Sequence, residues 1–99
     1  MYSFACTSLD TLDEYLLSAF GNGTISIYNL KKGKKMIDIA AHARWIHSIS
    51  VKNNLLASVS EDCYLRIWQL NEINNQFEVL INFIVILIIK CILVTFNYF

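Results

Sequence analysis

The 99-residue sequence contains no proline and no net charge, with eight lysines and arginines against eight aspartates and glutamates. A balanced charge removes the electrostatic case for a nucleic-acid partner or an anionic surface. Cysteine is sparse and scattered: Cys6, Cys63 and Cys91 form no CxxC pair. An odd count at that spacing fits neither a disulfide framework nor a zinc site. Reduced thiols packed as small apolar groups, in a cytoplasmic setting, are expected instead. The opening MYSFACTSLD lacks a basic stretch followed by a continuous apolar one, so it does not read as a signal peptide. Acidic residues stop at Glu78, after which only Lys90 is charged. The length permits at most one small domain.

What is present is a repeat. LLSAFGNGTISIYNL (16–30) aligns with LASVSEDCYLRIWQL (56–70) at an offset of forty residues. Leu16, Ser18, Ile27 and Leu30 meet Leu56, Ser58, Ile67 and Leu70 as identities. Asn22 falls on Asp62, Ile25 on Leu65 and Tyr28 on Trp68, each swap keeping polarity or shape. Short runs rich in Ile, Val, Leu and aromatics recur within the period: YLLSAF, TISIYNL, KMIDIA, WIHSISV, LLASVS and YLRIWQL. Turn residues separate them, as in GNG, KKGKK, KNN and ED. Strands this short, with no helical stretch between them, predict an all-β meander. NQFEVL (75–80) extends the series by one outer strand.

An all-β repeat of about 40–45 residues that closes on a Trp-containing strand resembles a blade of the WD40-repeat β-propeller family. AHARWIHSISVKNNLLASVSEDCYLRIWQL (41–70) is similar to one WD repeat, with Ala41-His42 for the usual Gly-His and Gln69 for the Asp of the Trp-Asp dipeptide. The expected architecture is an incomplete propeller of about two four-stranded blades. A degenerate first repeat covers 1–40, a second covers 41–80, and an atypical hydrophobic C-terminal tail covers 81–99. The resemblance implies a hydrogen-bonded structural tetrad across the second blade at His42, Ser58, Asp62 and Trp68. Its first-blade equivalents, Ser18, Asn22 and Tyr28, are degenerate. The chemistry is compatible: an indole N–H only donates, a carboxylate only accepts, and a hydroxyl and a neutral imidazole do both.

The resemblance also implies a non-enzymatic scaffold that binds other proteins or peptides, without a cofactor or metal and with no nucleic-acid partner. A hydrolase reading of His42, Ser58 and Asp62 lacks a GxSxG elbow and a glycine-rich oxyanion loop. His42 and His47 as metal ligands lack partners at ligand spacing. Cys63 has no cationic neighbour to make it a thiolate. KKGKK reads as a hairpin turn rather than a localisation patch. In the family, positions at the start of the innermost strand and just before the turn carboxylate line the rim of the channel. Here these are Trp45, His47 and Glu61, with Arg44 adjacent; aromatics and Arg are enriched at binding hot spots. The alternative for Trp45 is packing between blades.

The tail, INFIVILIIKCILVTFNYF (81–99), matches nothing in the first repeat. Roughly 17–25 mainly apolar residues suffice to span a bilayer. Lys90 would cost about 2.5–3.5 kcal/mol there, which the surrounding Ile, Leu, Val and Phe can offset. A membrane-tethered adaptor is therefore the alternative function and location. Buried strands are a second possibility for this segment. The favoured expectation is a third: sixteen of residues 74–99 are Phe, Tyr, Ile, Asn or Lys, as translation into AT-rich sequence past a lost splice site would give. Under two and a half repeats cannot close a ring, so a fragment of a larger propeller is expected.

Overall fold

The computed structural model describes residues 5–73 and 76–86. Its strands run β1 (Cys6–Leu12), β2 (Tyr15–Phe20), β3 (Thr24–Asn29), β4 (Lys34–Ala40), β5 (Ile46–Lys52), β6 (Leu55–Ser60), β7 (Tyr64–Ile73) and β8 (Gln76–Ile86). They form two four-stranded antiparallel sheets, ordered β1-β2-β3-β4 and β5-β6-β7-β8. Tight turns set this meander. Asn53 and Asn54, both at positive φ (51° and 66°), make the two-residue turn between β5 and β6. Two such residues match the right-handed twist of the flanking strands. Gly33 (φ 65°) closes the lysine-rich turn before β4, which begins at Lys34.

The forty-residue period is present in the register itself. Leu17 pairs with Ile27 in the first sheet, and Ala57 with Ile67 in the second. Bulges fall between Cys6 and Ser8 and again between Ile46 and Ser48. Backbone bonds repeat as well. Gly21 N–H donates to Ala5 O (3.0 Å) as Glu61 N–H donates to Trp45 O (2.9 Å), and Leu30 to Glu14 (2.8 Å) as Leu70 to Asn54 (2.9 Å). The period breaks at the last hairpin. There β7 continues to Ile73, and Trp68 pairs with Ile81, whereas Tyr28 pairs with Lys35.

β1 completes the first of the expected four-stranded blades, although CTSLDTL has no apolar run. One feature departs from the sequence reading. Cys6 and Cys63 are exposed free thiols rather than packed apolar groups. Cys63 occupies a left-handed turn position (φ 71°) that directs it outward, where the first repeat has Gly23 (φ 89°). Cys91 and the rest of 87–99 lie outside the described residues, while the backbone of 81–86 belongs to β8. Among the described residues, no helix is long and apolar enough to cross a membrane.

The core lies between the sheets. Tyr15, Leu17, Ala19, Ile25 and Ile27 project from one face of β2 and β3. In the same buried cluster are Ile46, Ile49, Leu56, Trp68 and Leu70 of the second sheet. Complete burial of a side chain of this size contributes about 1.5–3 kcal/mol, so the face-to-face contact dominates cohesion. Polar bonds join the innermost strands: Ile49 N–H donates to Ser8 Oγ (3.2 Å) and Val51 N–H to Asp10 Oδ2 (2.7 Å).

Two glycines separate backbone strain from steric conflict. Both Gly23 and Gly33 have positive φ, but a Cβ on Gly23 would lie 1.9 Å from His42 O, whereas one on Gly33 would meet nothing within 4 Å. Gly33→Ala should therefore cost only the left-handed penalty of about 1–2 kcal/mol. Gly23→Ala should cost clearly more, because the His42 backbone must also retreat. Denaturant unfolding of the two variants checks the order.

Candidate functional site

The second sheet carries a continuous chain of side-chain hydrogen bonds. Trp68 Nε1–H donates to Ser58 Oγ (3.0 Å), and Ser58 Oγ lies 2.7 Å from His42 Nε2. His42 Nδ1 lies 2.9 and 3.1 Å from the two oxygens of Asp62. The polarity follows from the ends. Asp62 only accepts, so Nδ1 carries the hydrogen and Nε2 is left to accept the Ser58 hydroxyl. The remaining lone pair on Ser58 takes the indole N–H. The strand register supplies the geometry, since Leu56 faces Trp68 and Ser58 faces Arg66 on one side of β6 and β7.

Asp62 does further work in its turn. Its carboxylate accepts the N–H of Tyr64 (3.0 Å) and of Ala43 (3.2 Å), and the guanidinium of Arg66 (3.0 Å). Burial opposes ionisation of Asp62, but the bonds from His42, Tyr64 and Ala43 outweigh it and hold its pKa below 3.8. His42 is pushed the other way from a charged state. Burial lowers its pKa below 6.5 despite Asp62, and Arg66, with a guanidinium nitrogen 2.8 Å from Nδ1, adds to the lowering. The imidazole is therefore neutral at pH 7.

His42 also reaches the first sheet. Its backbone N–H donates to Gly23 O (3.0 Å), alongside Ala41 N–H (3.1 Å). One residue thus bonds to the second sheet through its ring and to the first through its backbone. The Ser58 hydroxyl and the imidazole are both buried, out of reach of a substrate. A nucleophile locked between an indole and an imidazole inside the core does not make a hydrolytic site.

The first sheet has no such chain. Among the described residues, no hydrogen bond links Ser18, Asn22 and Tyr28 to one another. Asn22 keeps only the turn bond, accepting Thr24 N–H (3.1 Å). A different network stands there: Ser26 Oγ–H donates to Asp38 Oδ1 (2.5 Å), and Lys35 Nζ to Asp38 Oδ2 (2.9 Å).

Arg44, Trp45, His47 and Glu61 are all exposed and gather at the start of β5. Strand alternation does not place them. Trp45 precedes the strand, and His47 is the extra residue of the Ile46/Ser48 bulge, which turns it to solvent. Ser60, unnoticed in the sequence, organises this corner. Its hydroxyl lies 3.1 Å from Arg44 O and 2.8 Å from Trp45 O, and it accepts Asp62 N–H at 3.2 Å. The indole of Trp45 rests on Gly21, where a Cβ would come within 2.6 Å of the ring. Trp45 thus both touches the first sheet and keeps a face in solvent. Among the described residues, no group of three or more His, Cys, Asp or Glu could hold a metal ion.

Removing Asp62 as Ala strands the imidazole N–H, Arg66 and two backbone donors, and should cost on the order of 1–3 kcal/mol in denaturant unfolding. A second consequence concerns pH. The unfolded chain protonates His42 near 6.5 while the folded chain resists, so stability should fall as pH drops below that value toward the folded pKa. Asp62 should add a further loss below 3.8, as its native carboxylate becomes protonated. His42→Gln should abolish the first slope and also reduce the second, because the His42 bond is the largest contribution holding the Asp62 pKa down; unfolding curves across the pH range read both.

Comparison with known proteins accords with this geometry. The WDR54 family model matches residues 1–84. WD repeat-containing protein 54 of Mus musculus is 29% identical over 72 residues, covering 71% of this chain and 22% of that protein. WD repeat domain 54 of Rattus norvegicus is 31% identical over the same shares. The chain thus spans about a fifth of the length of these curated relatives. Among solved structures, the β-propeller domain of Cps50 (Swd1) from Myceliophteria thermophila superposes with a TM-score of 0.76 at 10% identity, covering 84% of this chain and 28% of that one. The computationally designed Ika4 protein gives 0.67 at 21% identity, covering 78% and 47%. These likenesses identify the two sheets as propeller blades, and with the match over residues 1–84 the chain belongs to the WDR54 family of WD-repeat proteins.

Proposed function

We propose that this chain is a non-enzymatic protein-interaction module whose contact surface is the corner formed by Arg44, Trp45, His47 and Glu61. Membership of a WD-repeat family supports the scaffold role. The observation that carries the site is Trp45: a large aromatic left partly in solvent, yet seated on Gly21 and held through its carbonyl by Ser60 Oγ and Glu61 N–H. An anchor already fixed in place loses little freedom on binding, and that preorganisation favours affinity. Arg44 beside it offers a planar donor fork, and Glu61 an acceptor across the corner. The partner class that fits is a protein segment with an apolar side chain for the indole and a carboxylate for Arg44.

A random peptide library displayed on phage and selected on the chain tests the proposal. Selected peptides should lose at least about tenfold in affinity on Trp45→Ala, the size of effect a hot-spot residue carries. Arg44→Glu should weaken them too, with circular dichroism unchanged for both. Peptides that bind both variants as well as the parent would place the interaction elsewhere. Loss of β-structure in Trp45→Ala would make Trp45 a core residue.

A further inference from the structure

The turn between β2 and β3 joins two neighbours whose groups can react with each other. Asn22 is exposed, and Gly23, which follows it, is buried. Asn22 Oδ1 accepts the Thr24 N–H (3.1 Å), which folds the side-chain amide back along the backbone that contains the Gly23 nitrogen. A residue without a Cβ leaves that nitrogen unhindered. In the second blade the same turn reads Asp62-Cys63, with the Tyr64 N–H on Asp62 Oδ1 (3.0 Å). There the side chain is already a carboxylate, and the following residue carries a Cβ.

The fold holds the nitrogen back. Gly23 N–H donates to Phe20 O (3.1 Å), and Gly23 O accepts both Ala41 N–H (3.1 Å) and His42 N–H (3.0 Å). Gly23 is also walled in, since a Cβ there would lie 1.9 Å from His42 O and 3.0 Å from Arg44 O. To bring the nitrogen onto Asn22 Cγ, the peptide between the two residues must rotate. That rotation breaks the Phe20 bond and pulls Gly23 off the segment at 41–44. The segment is itself fixed by the His42 ring, through Ser58 and Asp62.

We infer that Asn22 is a site of spontaneous deamidation and that the junction between the blades holds the reaction in check. The Gly23 amide nitrogen loses its proton to base and bonds to Asn22 Cγ; the side-chain nitrogen leaves as ammonia, closing a cyclic imide. Water then opens the ring, with no oxidant or reductant involved. Cleavage of the new bond at Cγ leaves an ordinary aspartate, the residue that the second blade has at this position. Cleavage at the main-chain carbonyl leaves isoaspartate, whose backbone runs through Cγ and gains a methylene. The aspartate can keep the Thr24 bond as Asp62 keeps that of Tyr64. The added methylene instead displaces Gly23 O from Ala41 and His42, so isoaspartate prevents the junction from closing again. The modification records an opening and preserves it.

Peptide mapping by mass spectrometry, with isoaspartate separated from aspartate by chromatography, tests this on the full chain in mildly alkaline buffer with and without guanidinium. Asn22 should convert readily in guanidinium and at least about tenfold more slowly in native buffer, as a closed local structure protects its backbone. Asp62→Ala, which releases one end of the His42 ring, should raise the native rate several-fold and leave the guanidinium rate unchanged. Chain carrying isoaspartate at 22 should unfold at lower denaturant than the Asn22→Asp variant. An Asn22 that stays intact in guanidinium, a native rate equal to the unfolded one, or a native rate indifferent to Asp62→Ala would each overturn the inference. So would an isoaspartyl chain as stable as Asn22→Asp. If circular dichroism shows Asp62→Ala unfolded, His42→Gln, which removes the ring and keeps the backbone N–H, takes its place in the same comparison.

Discussion

The contact on which the rest depends is His42. Its backbone N–H reaches the Gly23 carbonyl of the first blade, and its ring closes the path from Trp68 and Ser58 to Asp62 in the second. The two attachments act in different directions, so the segment between the blades has little freedom to shift along either. A buried polar chain of this kind is favourable only when every member is paired, because a lone buried donor or acceptor costs more than a paired one gains. The neutral imidazole meets that condition, with one nitrogen donating and the other accepting. Gly23 allows the approach, since any side chain there would occupy the space of the His42 carbonyl.

The blades are alike in register and unlike in chemistry. Where the second has Arg66 facing Ser58, the first has Ser26 facing Ser18, and Ser26 turns to Asp38 on the outer strand. Lys35 and Asp38 are about half exposed, and an ion pair in that setting, screened by solvent, adds little to stability. The described part of the first blade thus depends mainly on apolar packing against its neighbour, while the second adds a polar chain of its own. Cohesion is unevenly distributed, and the shared core is where the two are joined.

The corner at Trp45 shares parts with that chain. Ser60 holds the carbonyls of Arg44 and Trp45 and also receives the N–H of Asp62, whose carboxylate completes the tetrad. A loop positioned by a rigid strand scaffold is a common setting for recognition. Here the same turn serves stability and presentation, so substitutions at Ser60 and at Asp62 should not act independently on the two properties.

The sequence by itself determined the repeat and the all-β meander, which rest on local alternation, turn chemistry and a fixed spacing written along the chain. The four tetrad positions were implied by the resemblance to the WD40-repeat family. The sequence determined less where a residue's role depends on distant neighbours. β1 was legible only through the four strands that a blade requires, because CTSLDTL carries no apolar run. Cys63 was expected inside because thiols commonly are, but a left-handed turn position points it out. Arg66 and Ser60 looked unremarkable until cross-strand register and the returning loop put them against Asp62 and Trp45. Gly21 and Gly23 read only as turn residues. Their second role, as seats for an indole and a histidine backbone some twenty residues later, was decided by tertiary structure, because only folding makes the absence of their side chains into usable space.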